Sequence, residues 1–464
     1  MYQVPQHIDK NKIFIVQRSE IEGRLDPKMA LYNRKVQSSS YPKVRFKDII
    51  VCKPQYGAGE PGIERKNFTD ARYIRITDID EYGLISHDDL GATANCIKDK
   101  YILNENDILI ARSGNTVGKA YIHKSTPYDC FFAGYLIRFI VDKKKALPEY
   151  VFTFTQLNTY KDWVKAVQRP SGQPNINSEE YQSLEIPLPD IDKQHQIVDI
   201  INSAYLQKQQ KESEAQQLLD SIDAYILNEL GITLPEIKTD LKSRVFLVNR
   251  SELEERLDPT VYKDATKLIP SLFENVKLSH VAFVNPGGAY KGKPIGTSIS
   301  FIPMEVIDEV YSEISSQGET TIADSTGFTK FKEGDLLWAK ITPCMQNGKS
   351  AIARNLTNGL GCGSTEFFVL RPKDERLSVE YLHVILHMKC VRETAMLYFG
   401  GSAGQQRVSA SFLENFNLPL PSFTKQQEIA NHIYAIRQQA KQLQEEGKSM
   451  LENAKKEVEQ MIIG

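Results

Sequence analysis

His383, His387 and Cys390 are spaced so that three metal ligands would share one face of a helix. A fourth ligand is not evident and the first half of the chain has nothing equivalent, so ordinary helix packing is the simpler reading and no metal is expected. Two Gly-Lys strings, Gly118-Lys119 and Gly348-Lys349-Ser350, resemble the end of a phosphate-cradling loop. That loop needs G-x-x-x-x-G-K-[ST], because its glycines let backbone N–H groups wrap a phosphate. The first string lacks the Ser or Thr, and Pro343 stands where the second needs its first glycine. No Ser/His/Asp set and no H-E-x-x-H is visible, and no cofactor is expected. What remains is binding chemistry. Arg65, Lys66, Asn67, Arg112, Asn115, Gln173 and Asn175 in the first half could reach phosphates or base edges from loops. So could Lys291, Lys293, Lys340, Gln346, Asn347, Lys349, Gln405 and Arg407 in the second. For any one of them the plain alternative is a solvated surface group. Gln173 and Gln405 have another, a structural role, since they recur in both halves while specificity should not.

Such loops need a scaffold, and the chain writes one twice. Phe14–Pro27 reads FIVQRSEIEGRLDP and Phe246–Pro259 reads FLVNRSELEERLDP; Glu185–Gln194 reads EIPLPDIDKQ and Asn417–Gln426 reads NLPLPSFTKQ. Both matches are 232 residues apart, half the chain. This spacing exceeds the repeats of solenoids and predicts two copies of a whole domain with its connector. The copies agree at their ends and diverge in their middles, as expected of one scaffold presenting two different surfaces.

Each half repeats one order. Short β-type runs come first: Val44–Val51, Tyr73–Ile79, Asp107–Arg112, Ala120–His123 and Phe132–Val141, then Phe301–Ile307, Asp335–Ile341, Ser350–Ala353 and Glu366–Leu370 in the second copy. Helical stretches come next at Pro148–Val167 and Ser378–Leu397, then the Gly-Gln loops Ser171–Ile176 and Ser402–Val408, then the P-L-P strands. Behind each P-L-P the apolar spacing is 4-3-4-3. In the first helix it runs through Ile197, Ile201, Ala204, Lys208, Lys211, Ala215, Leu218, Ile222 and Tyr225. In the second it runs through Ile429, Ile433, Ile436, Ala440, Leu443, Gly447, Met450, Ala454, Val458 and Met461. A sustained 3.5-residue period predicts a coiled-coil seam in preference to an amphipathic helix packed on its own domain. Each helix of ~38 residues would extend ~57 Å. The fold expected is α+β: two β-rich domains held apart by two long antiparallel helices, a pseudo-two-fold internal repeat. Such a caliper suits B-DNA, whose major groove returns every ~34–36 Å.

The 464 residues are 25% charged and 41% hydrophobic, the balance of a soluble protein of two or three domains. No apolar run approaches the ~18 residues of a membrane span, and the N-terminus lacks a signal-peptide core. The six cysteines form no C-x-x-C pair and do not recur between halves, so a reduced, cytoplasmic setting is expected. With a net charge of −2, any basic footprint must be local.

These features resemble the specificity subunits of type I restriction-modification systems, across essentially the whole chain. The resemblance rests on the openings Arg24–Pro27 and Arg256–Pro259 and the Gly-Gln loops Gly172–Gln173 and Gly404–Gln405. The strongest carriers are the P-L-P-x-x-x-K-Q-x-x-I junctions Pro187–Ile197 and Pro419–Ile429. It implies target recognition domains at residues 1–189 and 233–421, with helical spacers at 190–232 and 422–464. Each domain would read one half of a bipartite, asymmetric site in double-stranded DNA. Two methyltransferase subunits would dock and methylate adenines with S-adenosylmethionine, restriction subunits would complete the nuclease, and this subunit would have no catalysis. A methyltransferase that reads its own site is a competing reading. It needs an Asx-Pro-Pro-aromatic loop, and the nearest string, Asn285-Pro286-Gly287-Gly288, lacks the second proline and the aromatic. The glycine-rich Phe399–Gly404 comes after no convincing strand and is the repeat partner of Gln168–Gln173. A coiled-coil DNA-binding or adaptor protein independent of methyltransferases is the other alternative.

Overall fold

The computed structural model describes residues 15, 29–30, 32–33, 36, 39, 41–86, 89–168, 174–234, 271–401 and 405–463. Both R-L-D-P segments, Gly172–Gln173 and Gly404 lie outside these residues. Contacts group the chain into two compact units, residues 1–210 with 446–464 and residues 211–445.

The first copy runs through β1 (Lys43–Arg45), β2 (Gln55–Tyr56), β3 (Ile63–Glu64), β4 (Arg72–Ile74), β5 (Ala92–Thr93), β6 (Ile108–Ala111), β7 (Ala120–Ile122), β8 (Cys130–Phe132) and β9 (Leu136–Phe139). Helices α1 (Pro148–Gln156), α2 (Asn158–Val167) and α3 (Ser178–Gln182), strand β10 (Glu185–Pro187) and the long helix α4 (Ile191–Leu230) complete it. The second copy begins with β11 (Asn275–Lys277), α5 (Leu278–Val281), β12 (Ala282–Val284), β13 (Ser298–Ile302), β14 (Gly318–Thr321), β15 (Thr329–Lys332), β16 (Leu336–Ala339), β17 (Ser350–Ile352), β18 (Leu360–Gly363) and β19 (Phe367–Pro372). It ends with α6 (Val379–His387), α7 (Lys389–Met396), β20 (Phe399–Gly400), β21 (Arg407–Val408), α8 (Ala410–Asn415), β22 (Asn417–Pro419) and the long helix α9 (Phe423–Ile463).

Each copy stacks helices on one four-stranded sheet and that sheet on a second. The first sheets have the same order, β2-β9-β6-β7 and β12-β19-β16-β17. Their central strands ILIA and LLWA are buried at every residue, because both faces are covered. In β6, Ile108 and Ile110 enter the core with Tyr150, Phe154 and Trp163 of the helices. Leu109 and Ala111 enter the core with Ile74 and Phe132 of the second sheet. The second sheets share a parallel pair, β4 with β8 and β13 with β18, but differ at an edge. The first copy adds β3 outside β5; the second adds β15 against β18. Divergence between the copies is thus concentrated at edges and loops.

Several expected elements are corrected. Val44–Val51 is strand only at its start and then turns through a 3-10 helix at Phe46–Ile49; Tyr73–Ile79 likewise ends in a 3-10 turn at Ile76–Asp78. Each expected helical stretch is two helices, broken at Leu157 and Met388, whose backbones are extended.

The junction motif reads as a helix-start device. The P-L-P strands pair with the copy's first strand in the same register, Lys43 opposite Pro187 and Asn275 opposite Pro419. The carbonyl of that proline accepts the hydroxyl of a buried tyrosine, Tyr150 at 2.5 Å and Tyr381 at 2.7 Å. Asp190 and Ser422 cap the long helices, accepting the N–H of Lys193 and of Lys425. The glutamines one residue further, Gln194 and Gln426, are buried. Gln194 accepts the Leu147 N–H and Gln426 the Ser378 N–H, both at 2.8 Å, so each ties its long helix to the start of a helix in the β-rich domain. Gln426 also donates to the carbonyls of Arg376 and Pro421. Gln426→Ala should lower stability by roughly 1–3 kcal/mol for each buried backbone group left unpaired. Urea denaturation of the full chain, with exposed Gln439→Ala as control, checks this; equal midpoints would remove the glutamine's role.

The long helices pair antiparallel within each unit. In the first, Ile197 and Val198 pack with Val458 and Ile462, and Ala204 with Leu451 and Ala454. In the second, Ile222 and Ile226 share a core with Ile433 and Ile429, and the rings of Tyr225 and His432 stand 4.2 Å apart. The polar seam position Lys208 is buried, its ammonium 4.3 Å from the centre of the Tyr82 ring. Gly447 lies opposite: an added Cβ would stand 3.3 Å from the Lys208 Cα, so the missing side chain permits close approach of the helices.

Candidate nucleic-acid interface

The candidate contact residues fall into structurally different groups. In the first copy Arg112, Asn115 and Asn175 come together. Arg112 donates its N–H to the Tyr135 carbonyl and accepts from Ile176 N–H; Ser113 bridges to Asn175 and Gly114 N–H donates to Pro174. Asn115 and Asn175 are exposed, and the Arg112 guanidinium lies 5.0 Å from the centre of the Tyr56 ring. The second copy rebuilds this backbone arrangement around Lys340. Its N–H donates to Glu366, its carbonyl accepts from Val408, and Ile341 bridges to Arg407. The Lys340 ammonium sits 5.5 Å from the centre of the Phe368 ring. One scaffold position therefore carries a cation over an aromatic ring in both copies, as Arg in one and Lys in the other. Gln405 and Arg407 are exposed beside it, Arg407 making two bonds to Glu366 at 2.8 and 2.9 Å. Gln173 falls outside the described residues.

A second group sits on the divergent edge loops. Lys66 and Asn67 are exposed, with Phe68 half exposed beside them. Arg65 corrects the expectation. It is fully buried, donates to the carbonyls of Phe68, Asp70 and Leu90, and lies 4.0 Å from the centre of the Tyr128 ring. Its guanidinium pins the loop from within and is shut off from solvent. In the second copy Lys291 and Lys293 are exposed. Lys291, Lys330 and Lys340 line one groove of about 530 Å³ with Tyr290 and Phe328, and no carboxylate lines it. The sequence reading missed Lys330. Its signal was the alternation in T-K-F-K of β15, where Phe331 is buried and both lysines point outward.

Gln346, Asn347 and Lys349 lie on the β16–β17 turn and are engaged there. The Gln346 carbonyl accepts from Arg392, Asn347 donates to Glu309, and the Lys349 ammonium donates to the Met304 carbonyl. In the first copy Lys119 donates to Ile79 in the corresponding way. The glycines before these lysines both have φ +86°, which explains the Gly-Lys strings as hairpin turns tied to a neighbouring 3-10 turn.

His383 and His387 are likewise held by packing. His383 Nε2 is 3.0 Å from Ser350 Oγ, and His387 Nε2 is 3.3 Å from the Glu309 carbonyl. Burial lowers the His383 pKa from 6.5 to about 3 and raises the Cys390 thiol to about 11. The unfolded chain takes up a proton near pH 6.5 that the folded protein refuses until about pH 3, so this stability is present above pH 6.5 and lost as pH falls. From pH 7 to pH 5 His383 should cost roughly 2 kcal/mol. Comparing urea midpoints at the two pH values, His383→Gln should flatten this loss; an unchanged slope would contradict it.

Comparisons with known proteins agree with the repeat. The profile of the family described as "Type I restriction modification DNA specificity domain" matches residues 95–219 and 270–453. The chain is 33% identical over 201 residues to the type I restriction enzyme EcoEI specificity subunit of Escherichia coli, covering 42% of this chain and 32% of that relative. It is 21% identical over 384 residues to the MjaVIII specificity subunit of Methanocaldococcus jannaschii, covering 78% of this chain and 79% of the relative. A solved structure concerned with complex assembly and conformational transition of the type I R-M system shares the fold, at 15% identity and a TM-score of 0.52. That match covers 91% of this chain and 96% of the other.

Proposed function

Because this chain belongs to the type I restriction-modification DNA specificity family, we propose that it is the non-catalytic subunit that reads a bipartite, asymmetric site in double-stranded DNA for adenine methylation and restriction. Residues 1–189 and 233–421 read one half-site each, residues 190–232 and 422–464 set the spacing, and methyltransferase and restriction subunits are the partners. The setting is cytoplasmic; among the described residues no helix is long and apolar enough to cross a membrane. The observation that carries this reading is the matched pair Arg112 and Lys340, cations on one backbone arrangement within divergent surroundings. Asn115, Asn175, Gln405 and Arg407 flank these cations. Lys66, Asn67, Lys291 and Lys293 extend the contact along the edge loops, and Gln173, outside the described residues, stays a candidate contact on sequence alone.

The isolated chain, at net charge −2, should bind DNA weakly. With methyltransferase subunits present, binding should be specific and should weaken steeply with salt. Replacing Lys291 and Lys293 by alanine should reduce the slope of log affinity against log salt by about two, while leaving the preferred sequence unchanged. Fluorescence anisotropy across a salt series measures this. An unaltered slope would remove these lysines from the interface, and tight specific binding by the chain alone would contradict the need for methyltransferase subunits in DNA binding.

A further inference from the structure

Arg437 lies on α9 in the second unit and is 7% exposed. Among the described residues no hydrogen bond or ion pair engages it, and its Nε is buried without an acceptor. It lines a cavity of about 620 Å³ between α6, α9 and the 311–317 loop. Tyr311 and Ser312 line the same cavity, and both hydroxyls are also buried without partners. Three unpaired donors around one space are unusual, because a buried polar group ordinarily finds a partner and a buried unpaired cation is costly.

The carboxylates of the cavity wall are already engaged. Glu313 accepts from Gln438 at 2.8 Å and from Lys441 at 2.6 Å, and Glu380 accepts from Ser378 at 2.7 Å and from Arg354. His383 is kept neutral by burial and faces Ser350. Burial lowers the pKa of Arg437 to about 10, opposed by Glu313, Asp223 and Asp308, so it is cationic at neutral pH. Ile314, Ile352, Val384 and Ile433 supply apolar walls.

The first copy does not repeat the feature. Counting from the matched junction glutamines Gln194 and Gln426, Tyr205 holds the helix position of Arg437. Tyr205 packs edge-on against Tyr82, ring centres 6.3 Å apart. The scaffold can therefore be closed there by aromatic packing, and the buried arginine is particular to the second copy.

We propose that this cavity binds a small organic oxyanion, a carboxylate or phosphate with an apolar body, whose oxygens accept from Arg437, Tyr311 and Ser312. The volume falls in the range of small-molecule sites, and a charged, bidentate donor flanked by hydroxyls over apolar walls suits that class. A bound anion links the 311–317 loop to α9, stiffening the attachment of the second recognition domain to its helix.

The test titrates the full-length chain with sodium benzoate and, separately, inorganic phosphate, by calorimetry and thermal shift at ionic strength held constant with sodium chloride. Saturable one-site binding of benzoate, phosphate or both is expected, and the probe that binds assigns the anion class. Arg437→Met should abolish the response while leaving the ligand-free Tm equal or higher, because removing an unpaired buried charge relieves its desolvation. Tyr311→Phe, which removes only a hydroxyl, should weaken binding roughly five- to tenfold. No saturable binding of either probe overturns the proposal. So does undiminished binding by Arg437→Met or, should that variant not fold, by Tyr311→Phe.

Discussion

Exchanging residues 44–184 for the same region of a related specificity subunit is expected to change one half of the methylated motif and leave the other half intact. The exchange keeps β10, Asp190 and Gln194, which start the long helix. Its boundary in β1 crosses a pairing of backbone groups, Val44 opposite Ile186, that does not depend on the incoming side chains. The described candidate contacts of the first copy, Lys66, Asn67, Arg112, Asn115 and Asn175, travel with the exchanged segment. Each mismatched base pair costs ~1–3 kcal/mol. A half-site with three mismatches would thus lose roughly two to six orders of magnitude in affinity, enough to erase the old half from the methylation pattern. Methylation-aware sequencing of cells carrying the hybrid reads the outcome directly. A change in both halves would contradict one-domain, one-half-site reading.

A four-residue insertion at Gln209 should lengthen the spacer between the half-sites without changing either sequence. Helix α4 is continuous from Ile191 to Leu230, so the insertion adds ~6 Å of rise and turns the C-terminal half of the helix by about 40° beyond a full turn. In a 3.5-residue seam this is a stutter, which local unwinding absorbs. The pairings on either side, Ala204 with Leu451 and Ile222 with Ile433, resist part of the displacement. Six ångströms correspond to about two base pairs at the ~3.4 Å rise of DNA; with that resistance we expect growth of about one. The motif methylated in cells with the insertion is the readout. An unchanged spacer in a folded, active variant would show that the helices do not set the distance.

The closing junction of each copy was legible because it repeats and because its residues have fixed jobs: a proline strand end, an Asp or Ser cap, and a glutamine that must be buried. The seams were legible from period alone, down to Lys208, which is buried although charged. Other features left no such mark. The breaks at Leu157 and Met388 interrupt no apolar period and carry neither glycine nor proline. Arg65 stands between charged and polar neighbours in a turn-rich loop, and only tertiary structure brings three carbonyls and Tyr128 around it. The groove of Lys291, Lys330 and Lys340 joins positions up to 49 residues apart on different elements, which no local pattern connects. Contact residues are harder to read than scaffold residues for a physical reason. A scaffold position is constrained by its neighbours in the chain, whereas a contact position answers to DNA that the sequence does not contain.

The most direct test is methylation-aware sequencing of genomic DNA from cells of the source strain with and without this protein. The account predicts one asymmetric motif of two short segments separated by a fixed gap, with methylated adenines in both segments, present with the protein and absent without it. Methylation identical in the two cultures would contradict it, as would a protein-dependent motif that is a single uninterrupted segment.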